Sequence, residues 1–168
     1  MTRKRRLALE NRRRGRGVSI TVRSPCLTLL FYVALLLLDH TGLIRVGLLC
    51  ALLHEAGHVA VYLLLFRRAP RLELSIFGVC LSMRGVCLPV RAELALALAG
   101  PAVNALLALG ALAGMRWGWG YSYRGCWFAA TNLLVGGFNL LPLPGLDGAR
   151  ALGCLQNLAR YKLQFREK

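Results

Sequence analysis

The stretch LLHEAGHVAV, residues 52–61, sets two histidines and a glutamate inside an apolar run from Val46 to Phe66. His54 and His58 are four apart, so a helix presents both imidazoles on one face. Two imidazoles so placed can grip one zinc ion at about 2.0–2.1 Å, and Glu55 can reach a water on the metal. Zinc lowers the pKa of such a water to about 7, and a glutamate that takes its proton readies it to attack a carbonyl. Gly57, costly in an ordinary helix, removes a side chain beside the metal and lets another backbone approach. The competing account, two buried histidines bonded to backbone, leaves Glu55 without a purpose. On insertion scales an Asp, Lys or Arg at bilayer depth costs about 2.5–3.5 kcal/mol, so an ionisable trio there points to function.

A catalytic zinc needs a third protein ligand and one open position. Cysteines aside, the candidates are Asp39, His40, Glu73, Glu93 and Asp147. Asp39 and His40 fall in a turn at the outer end of the run, half a membrane from His54. Glu73 and Glu93 belong to segments read as exposed. Asp147 closes the stretch NLLPLPGLDG, residues 139–148, an apolar run broken by prolines and flanked by Gly145 and Gly148. An acid carried on unwound backbone is tolerated at membrane depth only where it lines a cavity or meets a partner. Asp147 is therefore the expected third ligand. Its other possible role is the N-cap of a helix from Ala149 onward.

The elements that must position these groups are mostly membrane helices. The chain has 168 residues, 57% of them hydrophobic, with mean hydropathy +0.53, which is a membrane composition. Apolar spans are predicted at Ile20–Leu38, Val46–Phe66, Leu94–Gly114 and from near Cys126 into the 139–148 stretch. Residues 72–90 alternate apolar with small or polar side chains, which predicts short strands, with Pro89 at an edge. Trp117, Trp119, Tyr121 and Tyr123 read as an interfacial belt. The expected fold is an all-α polytopic membrane protein of about four transmembrane helices, with a small membrane-associated β-hairpin or sheet at residues 72–90. Residues 1–24 read as a basic cytoplasmic tail, 25–150 as the core and 151–168 as a basic C-terminal helix on the inner surface.

The net charge of +15 would point to nucleic acid on a soluble domain. Here nine of the 22 basic residues lie in 1–24, five in 67–93 and five in 149–168, between the apolar spans. That is the asymmetry of basic segments held in the cytoplasm, with both termini inside and anionic lipid as the contact. The tail has no aromatic residue on which a base could stack, so no nucleic-acid partner is expected. A cleaved signal peptide is not expected either, since no small-x-small site follows the first span. The six cysteines form no Cys-x-x-Cys pair and read as buried or reduced thiols; Cys80 and Cys87 could face one another across the hairpin.

Three motifs occur in order: HEAGH at 54–58, GPAVN at 100–104 and NLLPLPGLDG at 139–148. Together they resemble the site-2 protease family of intramembrane zinc metalloproteases, and within it the branch containing stage IV sporulation protein FB. The resemblance covers about residues 25–150. It implies one zinc ion per chain held by His54, His58 and Asp147, with Glu55 as general base. It also implies that Asn139 holds substrate backbone near the metal; from the residues alone, Asn139 is equally a helix-end amide bonded to freed backbone groups. Gly100, Pro101 and Asn104 are implied to line the site on a kinked, close-packed helix, a reading that nearly merges with small-residue helix packing. The strand edge at 72–90 would capture an unwound substrate by strand addition.

The implied activity is hydrolysis of peptide bonds within or beside a transmembrane segment of a membrane-associated substrate, a pro-sigma or anti-sigma factor among them, in a bacterial cytoplasmic membrane and under membrane regulators. Relatives in that branch often carry a nucleotide-sensing domain of the cystathionine-synthase type that these 168 residues do not include, so the resemblance does not extend to ATP-linked regulation. Two other classes fit parts of the pattern: a catalytically silent scaffold of the same fold, and a metal transporter using the same three ligands.

Overall fold

The computed structural model describes residues 19–22, 24–67, 70–75, 78–82 and 88–166. Five helices and three strands follow one another along the described chain. Strand β1 spans Ser19–Val22, helix α1 Pro25–Leu37, helix α2 Leu43–Phe66, strand β2 Arg71–Ser75 and strand β3 Gly78–Ser82. Helix α3 spans Val90–Gly114 and continues into a π-helical turn, Met115–Trp119; α4 spans Tyr123–Asn139 and α5 Asp147–Arg166.

Among the described residues two helices, Leu43–Phe66 and Val90–Gly118, are long and apolar enough to cross a membrane. At 1.5 Å per residue α2 reaches about 36 Å, beyond a hydrocarbon core of about 30 Å. Only 28% and 39% of their most apolar windows are buried, so most of that surface faces outward, unlike a soluble core helix. What points outward is large: Leu64 is 77% exposed and Leu134 70%. Apart from Leu96 and Met115, what is buried between the helices is mostly small or polar: Ala97, Ala99, Ala108, Ala129, Gly100, Asn104 and Asn132. Such an inside-out arrangement suits lipid, where close backbone approach and hydrogen bonds, rather than solvent exclusion, hold helices together.

Helix α3 is the hub and packs against α2, α4 and α5. Its crossing with α2 is close because Gly57 has no side chain: a Cβ there would lie 2.8 Å from Val103 Cγ2 and 2.9 Å from the Ala99 carbonyl oxygen. Fully buried amides lie along the same bundle. Asn132 donates to the Phe128 carbonyl at 2.9 Å and to Cys50 Sγ at 3.2 Å, and Asn104 donates to the Asn132 carbonyl at 3.4 Å. Neither Asn132 nor Cys50 is singled out by motif reading, although an isolated amide in an apolar span is a signal for them.

Three expectations change. Ile20–Val22 does not begin the first helix but forms β1, which pairs in parallel with β2, Ser19 opposite Arg71 and Val22 opposite Leu74. Pro25 explains the boundary, since proline favours the first helical turn and cannot continue a ladder. At 13 residues, α1 is about 20 Å long, short of a hydrocarbon core. The β structure predicted over 72–90 comprises β2 and β3, joined antiparallel with Leu72 opposite Leu81, and α3 already begins at Val90, directly after Pro89. The segment read as a helix from 151 starts at Asp147. The tail through residue 18 and Cys87 lie outside the described residues, as does the side chain of Cys80.

Asp39, discarded above as a ligand, caps α2 instead. Its carboxylate accepts from the N–H groups of Ile44 at 3.2 Å and Arg45 at 3.0 Å, and Thr41 Oγ1 accepts from Leu43 at 3.4 Å. These are the N–H groups that a helix start leaves unpaired. Burial works against ionisation of Asp39, but the two N–H bonds and the Arg45 guanidinium outweigh it and hold the carboxyl below its ordinary value.

Candidate metal centre

Helix α2 places His54 and His58 on the face turned to α3, where both are buried. One turn of helix separates them, and their rings meet edge to face with centroids 4.8 Å apart. Their Nε2 atoms stand 3.2 Å from one another. Asp147 completes the group: its Oδ2 lies 3.1 Å from His54 Nε2 and 3.0 Å from His58 Nε2. The three residues are the group of potential metal ligands among the described residues, and all three are buried.

The turn that delivers Asp147 is built from broken helix. After Asn139 the chain leaves α4, and Pro142 and Pro144 supply no N–H to continue it. The remaining N–H groups close short loops, Leu143 to the Leu141 carbonyl at 2.8 Å and Leu146 to the Leu143 carbonyl at 3.1 Å. Gly145 adopts φ +94°, a conformation other residues rarely take. Gly148 then presses against the turn: a Cβ there would collide with the Leu140 carbonyl and reach Leu141 O at 2.5 Å. The Asp-Gly pair thus combines a carboxylate aimed at the histidines with a residue that has no bulk behind it.

The arrangement fits a zinc-type cation. Three electron-rich atoms within 3.0–3.2 Å of one another need a proton or a cation between them. Tetrahedral bonds of about 2.0–2.1 Å set ligand atoms about 3.3 Å apart, close to the separations observed. The tautomer agrees too. His58 Nδ1 lies 2.8 Å from the Leu96 carbonyl oxygen, which can only accept, so Nδ1 carries the proton and Nε2 offers its lone pair to the cluster. His54 Nδ1 is buried with no partner among the described residues. Arg150 sits 3.8 Å from Asp147 Oδ1, the carboxylate oxygen turned away from the histidines.

The structure also places the remaining expected residues. Glu55 is next along α2 from His54, half-buried and outside the triangle. It is the one ionisable residue lining an apolar groove of about 330 Å³ formed with Leu52, Ala56, Val59, Ala60, Leu63 and Leu72. Gly100 lies against both imidazoles, Pro101 is buried beside it, and Asn104 is one turn further along α3. Asn139 does not join the cluster through its amide N–H, which donates to the Val135 carbonyl of its own helix at 2.9 Å. His40, Glu73 and Glu93 are not part of the three-ligand group. The Leu96 carbonyl, a backbone acceptor with no side-chain signature, could not have been found by motif.

No family model and no curated protein matches the chain. Among solved structures it is similar to the site-2 protease from Methanocaldococcus jannaschii, with 24% identity over 83% of this chain and 68% of that one, and a TM-score of 0.63. The two chains share a fold.

Proposed function

We propose that this chain is an intramembrane zinc metalloendopeptidase of the site-2 protease family, with His54, His58 and Asp147 as ligands and Glu55 as general base. The observation that carries the proposal is the convergence of two imidazole nitrogens and one carboxylate oxygen, from segments 89 or more residues apart, at a single point inside an apolar bundle. The shared fold with a site-2 protease supports it.

Bound there, zinc supplies a Lewis acid and brings a water molecule near to ionisation at neutral pH. The protein's own part is to hold the histidine tautomer through Leu96, to exclude bulk water from the ligands by burial, and to move protons at Glu55. The Glu55 carboxylate takes a proton from the water that adds to the peptide carbonyl carbon. It then gives that proton to the amide nitrogen as the C–N bond breaks.

The substrate is a peptide within or next to a transmembrane segment, and the chain a multi-pass protein with both termini cytoplasmic, in keeping with its basic segments and apolar helices. Substrates of the pro-sigma or anti-sigma factor kind, as in the sporulation branch, agree with the order of the three motifs. A helical substrate hides its peptide bonds and must unwind, and a sheet edge gives the unwound strand hydrogen bonds. Because β2 is paired on both sides, capture falls to an outer edge, and β3 is the strand packed on α2. Proline along β3, where the N–H faces away from β2, lowers cleavage about tenfold and leaves zinc content unchanged; equal cleavage removes the capture role.

The first test of the function is zinc per chain in protein purified in detergent with zinc present. About one ion is expected. A chain that holds none is no metalloprotease, and the silent scaffold then leads. Metal flux into proteoliposomes that persists in Glu55→Gln would instead favour a transporter.

A further inference from the structure

Glycines near the site answer to different neighbours. The Cβ missing from Gly57 would meet α3 itself, the Ala99 carbonyl and Val103, so that glycine serves helix packing. At Gly110, on α3, a Cβ would meet nothing within 4 Å. Gly100 differs from both. Its three nearest neighbours would be His58 Nε2 at 2.5 Å, His54 Nε2 at 2.6 Å and His54 Cε1 at 2.7 Å, all atoms of the candidate ligands.

We propose that Gly100 is a positioning residue for the metal: it keeps open the space against both ligand nitrogens that any side chain on α3 would take from the ion. The inference rests on the metalloprotease reading and extends it to a residue that binds nothing itself. The two nitrogens are 3.2 Å apart, so an ion bonded to both lies between them. A carbon 2.5–2.6 Å from both nitrogens overlaps each of them and drives them from the positions in which they converge with Asp147. The rings cannot swing away freely. His58 is tied to the Leu96 carbonyl one turn before Gly100, and both rings lie within the buried contact of α2 with α3. Helix α3 thus acts on the metal twice, through a carbonyl that sets one tautomer and through an absent side chain four residues later.

The experiment measures zinc stoichiometry and affinity for the full chain in detergent, wild type against Gly100→Ala and Gly110→Ala, with melting temperatures recorded in chelator. Gly110→Ala is expected to match wild type. Gly100→Ala is expected to weaken zinc at least about 100-fold, beyond the range for removing a group that only supports a ligand, and to lose the zinc-dependent rise in melting temperature. Cobalt in place of zinc should give its tetrahedral absorption in wild type and not in Gly100→Ala. Wild-type zinc binding retained by Gly100→Ala overturns the inference while leaving the metalloprotease reading intact. A wild type without zinc overturns both. Should Gly100→Ala fail to fold, the same change is made in a His54→Ala, His58→Ala chain. Recovery of folding there shows that the methyl meets the imidazoles, and continued failure assigns the glycine to helix packing and overturns the inference.

Discussion

Glu55→Gln is expected to lower kcat for peptide hydrolysis by about 10²–10⁴, the usual contribution of a positioned general base, while zinc stays at about one per chain. Glutamine has the shape of glutamate and cannot take a proton from water. Glu55 lies outside the ligand triangle, so its replacement leaves His54, His58 and Asp147 in place. It is half-buried at the wall of an apolar groove, where a carboxylate meets few competing partners. Single-turnover cleavage of a membrane-embedded peptide together with a zinc count separates the roles. Unimpaired cleavage removes Glu55 as the base, and loss of zinc makes it part of the metal site.

Asp147→Ala is expected to take zinc from about one ion per chain to almost none after dialysis, and hydrolysis with it. Two imidazoles would remain, without the carboxylate oxygen that now lies 3.0–3.1 Å from both. A three-ligand zinc site draws its affinity from the ligands acting together, and losing the charged one leaves only two to hold the ion. Removal of the carboxylate also frees the turn at residues 140–146 from its tie to α2. Melting temperatures in chelator distinguish the two effects. A small change without metal and a large one with it places Asp147 at the ion, whereas equal losses in both conditions make it a structural link. Full zinc occupancy in Asp147→Ala would send the search for a third ligand elsewhere.

The scale of these effects depends on interactions of different range, and that range explains how much of the molecule could be read from the chain. His54, Glu55 and His58 were legible because helical spacing is local: residues four apart share a face whatever the rest of the protein does. The two long apolar helices were legible for the same reason, as was the break at Pro142 and Pro144, which follows from a missing N–H. Asp147 was reached by weighing the few acids available, and the fold brings it to the histidines across 89 and 93 residues.

Other features had no local signature. Residues 19–22 form a strand only because β2, some fifty residues later, offers an edge in parallel register. Asp39, placed in the outer turn by sequence, gains a role only from the two N–H groups at the start of α2. The amide of Asn139 turned back to its own helix. The Leu96 carbonyl and the empty side of Gly100 matter only because α3 crosses α2 at the two imidazoles. By itself, then, the sequence determined which groups could do the chemistry and which helix face carries two of them, since covalent spacing and backbone periodicity decide that. The tertiary structure alone brought a distant carboxylate, carbonyl and glycine into contact with them, because those contacts arise from helix packing and a proline-broken turn, over distances that no local period spans.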